Sequence, residues 1–133
     1  AFEVSNTLGA GFVEKVYENA LCVEMRRAGI HFWRQPRYEI CYKDENIGNY
    51  VADIVVEEKL LVELKALSAL NREHDAQVMN YLKASRLSVG LLLNFGTSRI
   101  GINRIVWKHD DTDTIYPEKT FACISVHLRT IYP

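Results

Sequence analysis

The chain has 133 residues, 48% of them apolar and 25% charged, with seven Gly and three Pro. That composition describes an ordered globular chain with enough residues for a real core, and the apolar content and formal charge of −1 exclude an intrinsically disordered one. The balance of sixteen Lys and Arg against seventeen Asp and Glu also speaks against a surface that grips nucleic acid everywhere.

No apolar run approaches the roughly 18 residues of a membrane span. The first residue is Ala1, so trimming of the natural N-terminus is expected, and no basic-then-apolar leader opens the sequence. Cys22, Cys41 and Cys123 are far apart, form no CxxC pair, and read as reduced thiols of a cytoplasmic protein. His31, His74, His109 and His127 show no HExxH spacing, and no Walker-type or GxGxxG loop occurs, so zinc hydrolases and nucleotide-binding enzymes have no support.

In chain order, residues 1–8 read as a helix and Gly9 and Gly11 break it. Residues 12–28 read as a helix with Phe12, Val16, Ala20 and Val23 as its apolar stripe and Gly29 as its stop. Residues 32–42 read as a strand with a bulge or edge at Pro36, followed by a turn over 43–46. Residues 48–56 and 60–67 read as two more strands around a polar turn at 57–59. Ser68 is the expected cap of a helix over 69–84. Residues 88–95 read as a strand buried on both faces and 103–108 as another. Residues 109–133 hold a strand-like stretch at 120–127 and receive no role. One domain over 1–133 is expected, with its core at about 1–108.

Three charged residues stand inside the apolar stretch 51–67: Asp53, Glu63 and Lys65. Side chains alternate along a strand, so Glu63 and Lys65 share a face. A three-residue loop at 57–59 pairs Val56 with Leu60 and sets Asp53 opposite Glu63, with Cβ atoms about 5 Å apart. Two opposed carboxylates repel, and a divalent cation with oxygen ligands relieves that repulsion. A two-residue loop would oppose Asp53 to Val62 instead. The competing reading is a solvent-facing sheet with Glu63 and Lys65 as a surface ion pair, contributing about 0–1 kcal/mol.

Two helical patterns add to this. Leu70, His74, Gln77 and Tyr81 fall on one stripe, bordered by Val78 and Leu82. Gln77 and Tyr81, a QxxxY pair, either satisfy each other and nearby backbone or hold Lys65 and a phosphate. Gly11, Glu14 and Tyr17 form G-x-x-E-x-x-Y, which offers Glu14 as a third carboxylate against the ordinary alternative of a solvated helical Glu.

Taken in order, GxxExxY, Asp53, Glu63-Leu64-Lys65, QxxxY and the segment 90–95 resemble the GxxExxY family of small proteins, placed in the PD-(D/E)XK nuclease superfamily. The resemblance covers about residues 1–107. It implies an α/β fold with a restriction-endonuclease-like αβββαβ core, a mixed central sheet flanked by helices. It implies Asp53, Glu63 and the Leu64 backbone carbonyl as metal ligands, Glu14 as a ligand directly or through water, Lys65 as the water-orienting or general-base lysine, and Gln77 and Tyr81 as supports. Mg²⁺ is the implied cofactor, with Mn²⁺ as substitute, and the partner is nucleic acid, DNA ahead of RNA, cut by a homodimer where both strands are cleaved. Ala52 stands where the superfamily's name has Pro, and Ser5 follows Val4 where family members often have His. The alternative is a catalytically silent nuclease fold that binds nucleic acid or a protein. An ammonium is no base, so orientation and charge stabilisation suit Lys65 better than proton abstraction.

The small net charge conceals a division. Residues 44–63 hold Asp44, Glu45, Asp53, Glu57, Glu58 and Glu63 against Lys59 alone. Residues 64–108 are basic, with Lys65, Arg72, Lys83, Arg86, Arg99, Arg104 and Lys108 against Glu73 and Asp75. An acidic metal site beside a basic phosphate path fits that division.

Overall fold

A computed structural model describes residues 1–109. The expected strand at 120–127 and Cys123 lie outside the described residues.

Two helices come first, α1 (Phe2–Leu8) and α2 (Glu14–Arg27). They precede β1 (Phe32–Arg34), β2 (Arg37–Tyr42), β3 (Glu45–Val51), β4 (Ile54–Val56) and β5 (Leu60–Lys65). Helix α3 (Arg72–Ser85) follows, then β6 (Val89–Asn94) and β7 (Gly101–Val106). The main sheet has the order β1-β4-β5-β6-β7, and β2-β3 form a separate two-stranded sheet. Pairing is antiparallel except between β5 and β6, which run parallel. A parallel neighbour requires a crossover, and α3 supplies it. The expected mixed sheet flanked by helices is therefore present.

The sheet is covered on both faces, which is why β5 and β6 are apolar almost throughout. On one face Ile54, Val62, Leu64 and Leu93 pack against Val4, Tyr17, Leu21, Cys22 and Met25 of α1 and α2. On the other, Val55, Leu61 and Leu92 pack against Val78 and Leu82 of α3 and against Tyr38 and Tyr50 of the β2-β3 hairpin. Gly90 allows α3 to approach β6, since a Cβ there would lie 2.7 Å from Val78 Cγ1.

Several expectations need correction. The buried face of α2 is Tyr17, Glu18, Leu21, Cys22 and Met25, not the stripe through Phe12 and Val23, both of which are exposed. The strand expected over 32–42 is two strands in different sheets, parted at Gln35, whose φ is +52°. The strand expected over 48–56 is likewise divided, by a bend at Ala52–Asp53. Helix α3 begins later than expected, because Asn71 caps it in place of Ser68. The Asn71 side chain accepts from the Glu73 and His74 amides, and His74 Nδ1 accepts the Asn71 amide in return.

Candidate active site

The β4-β5 loop decides the register. Glu57 and Glu58 adopt φ of +52° and +56°, and Lys59 N–H closes the turn on the Val56 carbonyl at 3.0 Å. Val56 then pairs with Leu60 and Ile54 with Val62. The three-residue loop is therefore real, and it brings Asp53 level with Glu63. Hydrogen bonds cross there in both directions. The Asp53 amide donates to Glu63 Oε1 at 3.2 Å, and the Leu64 amide donates to Asp53 Oδ2 at 2.8 Å.

Neither carboxylate lies on a solvent face. Glu63 is 6% exposed, and Asp53 and Lys65 are half-buried. Among the described residues no ion pair joins Asp53 or Glu63 to a base; the two that occur both involve Glu18. The surface pair of Glu63 with Lys65 is thus not formed. Burial, then the charge of Asp53, pushes the Glu63 carboxyl up to about 7. Asp53 is also raised, chiefly by desolvation, against the lowering effect of the Leu64 amide. Lys65 opposes the rise at both groups.

Sequence reasoning missed Tyr50. Its phenol donates a short hydrogen bond to Glu63 Oε1, and its ring stacks on Tyr81. Burial and the Glu63 charge drive the Tyr50 phenol upward, so it remains a donor at any ordinary pH. The available signal was a phenol in the strand leading to Asp53. Tyr81 thus reaches Glu63 through Tyr50. Gln77 is exposed, and its side chain lowers the Tyr81 phenol against the rise that burial causes. His74, on the same stripe, serves the helix cap.

Glu14 is the first residue of α2, on the opposite face of the sheet. Its carboxyl is raised by desolvation and lowered by Lys65, with Asp53 the next charge acting on it. Among the described residues no three His, Cys, Asp or Glu side chains are gathered to hold a metal ion, so Glu14 stands near the Asp53–Glu63 pair without joining it. Tyr17 explains the rest of its motif. Its buried hydroxyl donates to the Gly9 carbonyl at 2.6 Å and accepts from the Phe12 amide at 3.2 Å, which fixes the loop leading into Glu14. Gly11 allows that loop its φ of +113°.

Leu64 has a distinct place. The N–H and C=O of one strand residue point to the same edge, and the Leu64 N–H points to Asp53. Its carbonyl therefore faces the same edge, where β4 no longer pairs with β5. Beyond it, Asn94 fixes the exit of β5: its side chain accepts the Leu67 amide at 2.9 Å and donates to the Leu67 carbonyl at 3.0 Å.

The donor set suits a hard divalent cation. It offers a buried and a half-buried carboxylate with no ion-pair partner among the described residues, each with one oxygen engaged in the hydrogen bonds described and another outside them, and a backbone carbonyl at the same edge.

The family model of the PD-(D/E)XK nuclease superfamily matches residues 1–105. The chain belongs to the PD-(D/E)XK nuclease superfamily. Among solved structures, the crystal structure of SSO0001 superposes with a TM-score of 0.55 at 17% identity, over 78% of this chain and 58% of that one. At that identity the likeness is one of fold, and this PD-(D/E)XK chain matches little more than half of that relative's length. A search of curated proteins gives no match. PD-(D/E)XK nucleases usually use divalent metals. No helix among the described residues is long and apolar enough to cross a membrane.

Proposed function

We propose that the chain is a metal-dependent nuclease of the GxxExxY type that hydrolyses phosphodiester bonds, DNA ahead of RNA, with Mg²⁺ or Mn²⁺. The observation that carries this is the Asp53–Glu63 pair, Glu63 buried and Asp53 half-buried, held level by the β4-β5 register, with Lys65 on the Glu63 face.

Asp53, Glu63 and the Leu64 carbonyl would hold the cation, and Glu14 would reach it through water. When bound, the cation supplies Lewis acidity at the scissile phosphate and lowers the pKa of water. Tyr50 holds Glu63 in one orientation and favours its ionised form. Tyr81 backs Tyr50, and Gln77 fixes the Tyr81 hydroxyl. Lys65 orients the attacking water and offsets charge developing on the phosphate. The basic stretch 64–108 lies in sequence immediately after the acidic one and supports a phosphate path. A single site cuts both strands of a duplex in one encounter only as a dimer, which supports a homodimer on duplex substrate. The buried free thiols of Cys22 and Cys41 support a reducing, cytoplasmic setting.

The test is a panel of single-stranded, duplex and branched DNA and RNA with Mg²⁺ and Mn²⁺, with Glu63→Ala as control. Metal-dependent cleavage lost in Glu63→Ala supports the reading. A folded protein that cuts no member of the panel points to the silent binding module.

A further inference from the structure

Glu18 is a buried carboxylate with no part in the proposed chemistry. It lies on α2, one turn after Glu14, and is 4% exposed. A buried charge is costly unless it is paired and hydrogen-bonded, and Glu18 is both. Its Oε1 accepts from Lys15 Nζ at 3.0 Å and from Arg34 Nε at 3.2 Å and Nη2 at 2.9 Å. Its Oε2 accepts from Gln35 Nε2 at 3.2 Å. Arg34 is tied again to α2 by Asn19 Oδ1 at 2.6 Å.

Gln35 is the joint between the two sheets. Its φ of +52° is unfavourable for a residue with a side chain, and such a conformation persists where the surroundings hold it. Its side chain is held by Glu18, and its amide donates to the Asp53 carbonyl at 2.9 Å. Next to it the Pro36 carbonyl accepts the Ala52 amide at 3.1 Å. The bend that places Asp53 opposite Glu63 is thus clamped by Gln35 and Pro36, and that clamp is anchored on α2 by Glu18.

We infer that Glu18, acting through Arg34 and Gln35, is the positioning residue that sets Asp53 against Glu63 and couples the α2 layer, with Glu14, to the site. The inference rests on the proposed metal site and adds the device that aligns it.

The test uses Glu18→Gln, Arg34→Lys and the exchange Glu18→Gln with Gln35→Glu, all measured well below their melting temperatures. Glu18→Gln removes the carboxylate's charge, and the new amide pairs with Gln35 only as a neutral hydrogen bond, after one of the two amides turns over. Calorimetric affinity for Mn²⁺ is expected to fall roughly tenfold or more, as for other groups that orient metal ligands. Hydrogen exchange at the Gln35 amide is expected to quicken by roughly tenfold, because the anchoring charged hydrogen bond is lost. The exchange variant restores a charged hydrogen bond between the two positions and should recover both. Arg34→Lys keeps a cation but not the fork, and should fall between wild type and Glu18→Gln. Wild-type Mn²⁺ affinity in Glu18→Gln overturns the inference, as does weakened affinity with the Gln35 amide still protected, which would mean that charge and not position acts. If the wild-type protein binds no Mn²⁺, the proposed metal site fails, and Gln35 exchange alone decides the anchor: unchanged protection in Glu18→Gln overturns it, lost protection upholds it.

Discussion

Asp53 and Glu63 each secure the other's strand: Glu63 Oε1 takes the Asp53 amide at 3.2 Å, and Asp53 Oδ2 takes the amide of Leu64, the residue after Glu63, at 2.8 Å. Two carboxylates that repel are thereby held level at the point where β4 stops pairing with β5. The backbone, and not a basic side chain, does the holding. That leaves the pair's negative charge for a cation.

Among the described residues the Tyr50 phenol is the one side-chain donor hydrogen-bonded to Glu63, and its hydrogen bond favours the ionised form. Tyr50→Phe keeps the ring stacked on Tyr81 and removes only the donor. A hydrogen bond to a charged group contributes about 1.5–3 kcal/mol. Glu63 should therefore titrate roughly one to two pH units higher in the variant. The acid limb of the pH–rate profile for cleavage is expected to move upward by that amount, and Mn²⁺ affinity near neutrality to fall.

Without metal, Glu63 makes the fold sensitive to base. Its folded pKa of about 7 exceeds its ordinary 4.5, so between those values the folded chain binds more proton than the unfolded chain. Stability then falls as pH rises through that window, and the penalty is complete above it. The raised carboxyls of Asp53 and Glu14 act in the same direction. Urea unfolding of metal-free protein should show a loss of up to about 3 kcal/mol from Glu63 between pH 5 and pH 8. Glu63→Gln should flatten most of that slope, and Mn²⁺ should restore stability at the alkaline end. Equal stability at both pH values would contradict the buried, unneutralised pair.

Gly96 is fixed by contact and not by an unusual φ. A Cβ there would lie 2.2 Å from the Leu67 carbonyl oxygen, and backbone cannot yield as a side chain does. Asn94 accepts the Gly96 amide at 3.1 Å while binding Leu67, so both residues hold the exit of β5. Gly96→Ala is expected to destabilise by about 3 kcal/mol, the upper range for overpacking. Thermal unfolding measures it.

The cap of α3 offers a local check. Asn71→Ala should cost about 1 kcal/mol of stability, whereas Ser68→Ala should change almost nothing. Denaturant titration of the two variants separates the observed cap from the expected one.

The Asp53–Glu63 opposition was legible because a hairpin's register follows from its loop length, and the polar loop 57–59 is bounded by apolar residues on both sides. The sheet strands β5 and β6 were legible from their apolar runs. The face of α2 was not, because its buried side includes Glu18, whose charge breaks the stripe, while exposed Phe12 and Val23 complete a false one. The bend at Ala52–Asp53 depends on Gln35 and Pro36, far away in sequence. Tyr50 was invisible for the same reason, since its hydrogen bond to Glu63 spans two sheets. The GxxExxY spacing was legible, but only the structure shows Tyr17 as the clamp of the glycine loop.

The most direct measurement of the central claim is calorimetric titration of Mn²⁺ into the folded protein at pH 8, beside Asp53→Ala. The expected result is a saturable site in the wild-type protein that vanishes in a folded Asp53→Ala variant. Absence of binding in the wild type, or equal binding in both, would contradict a metal site built on Asp53 and Glu63.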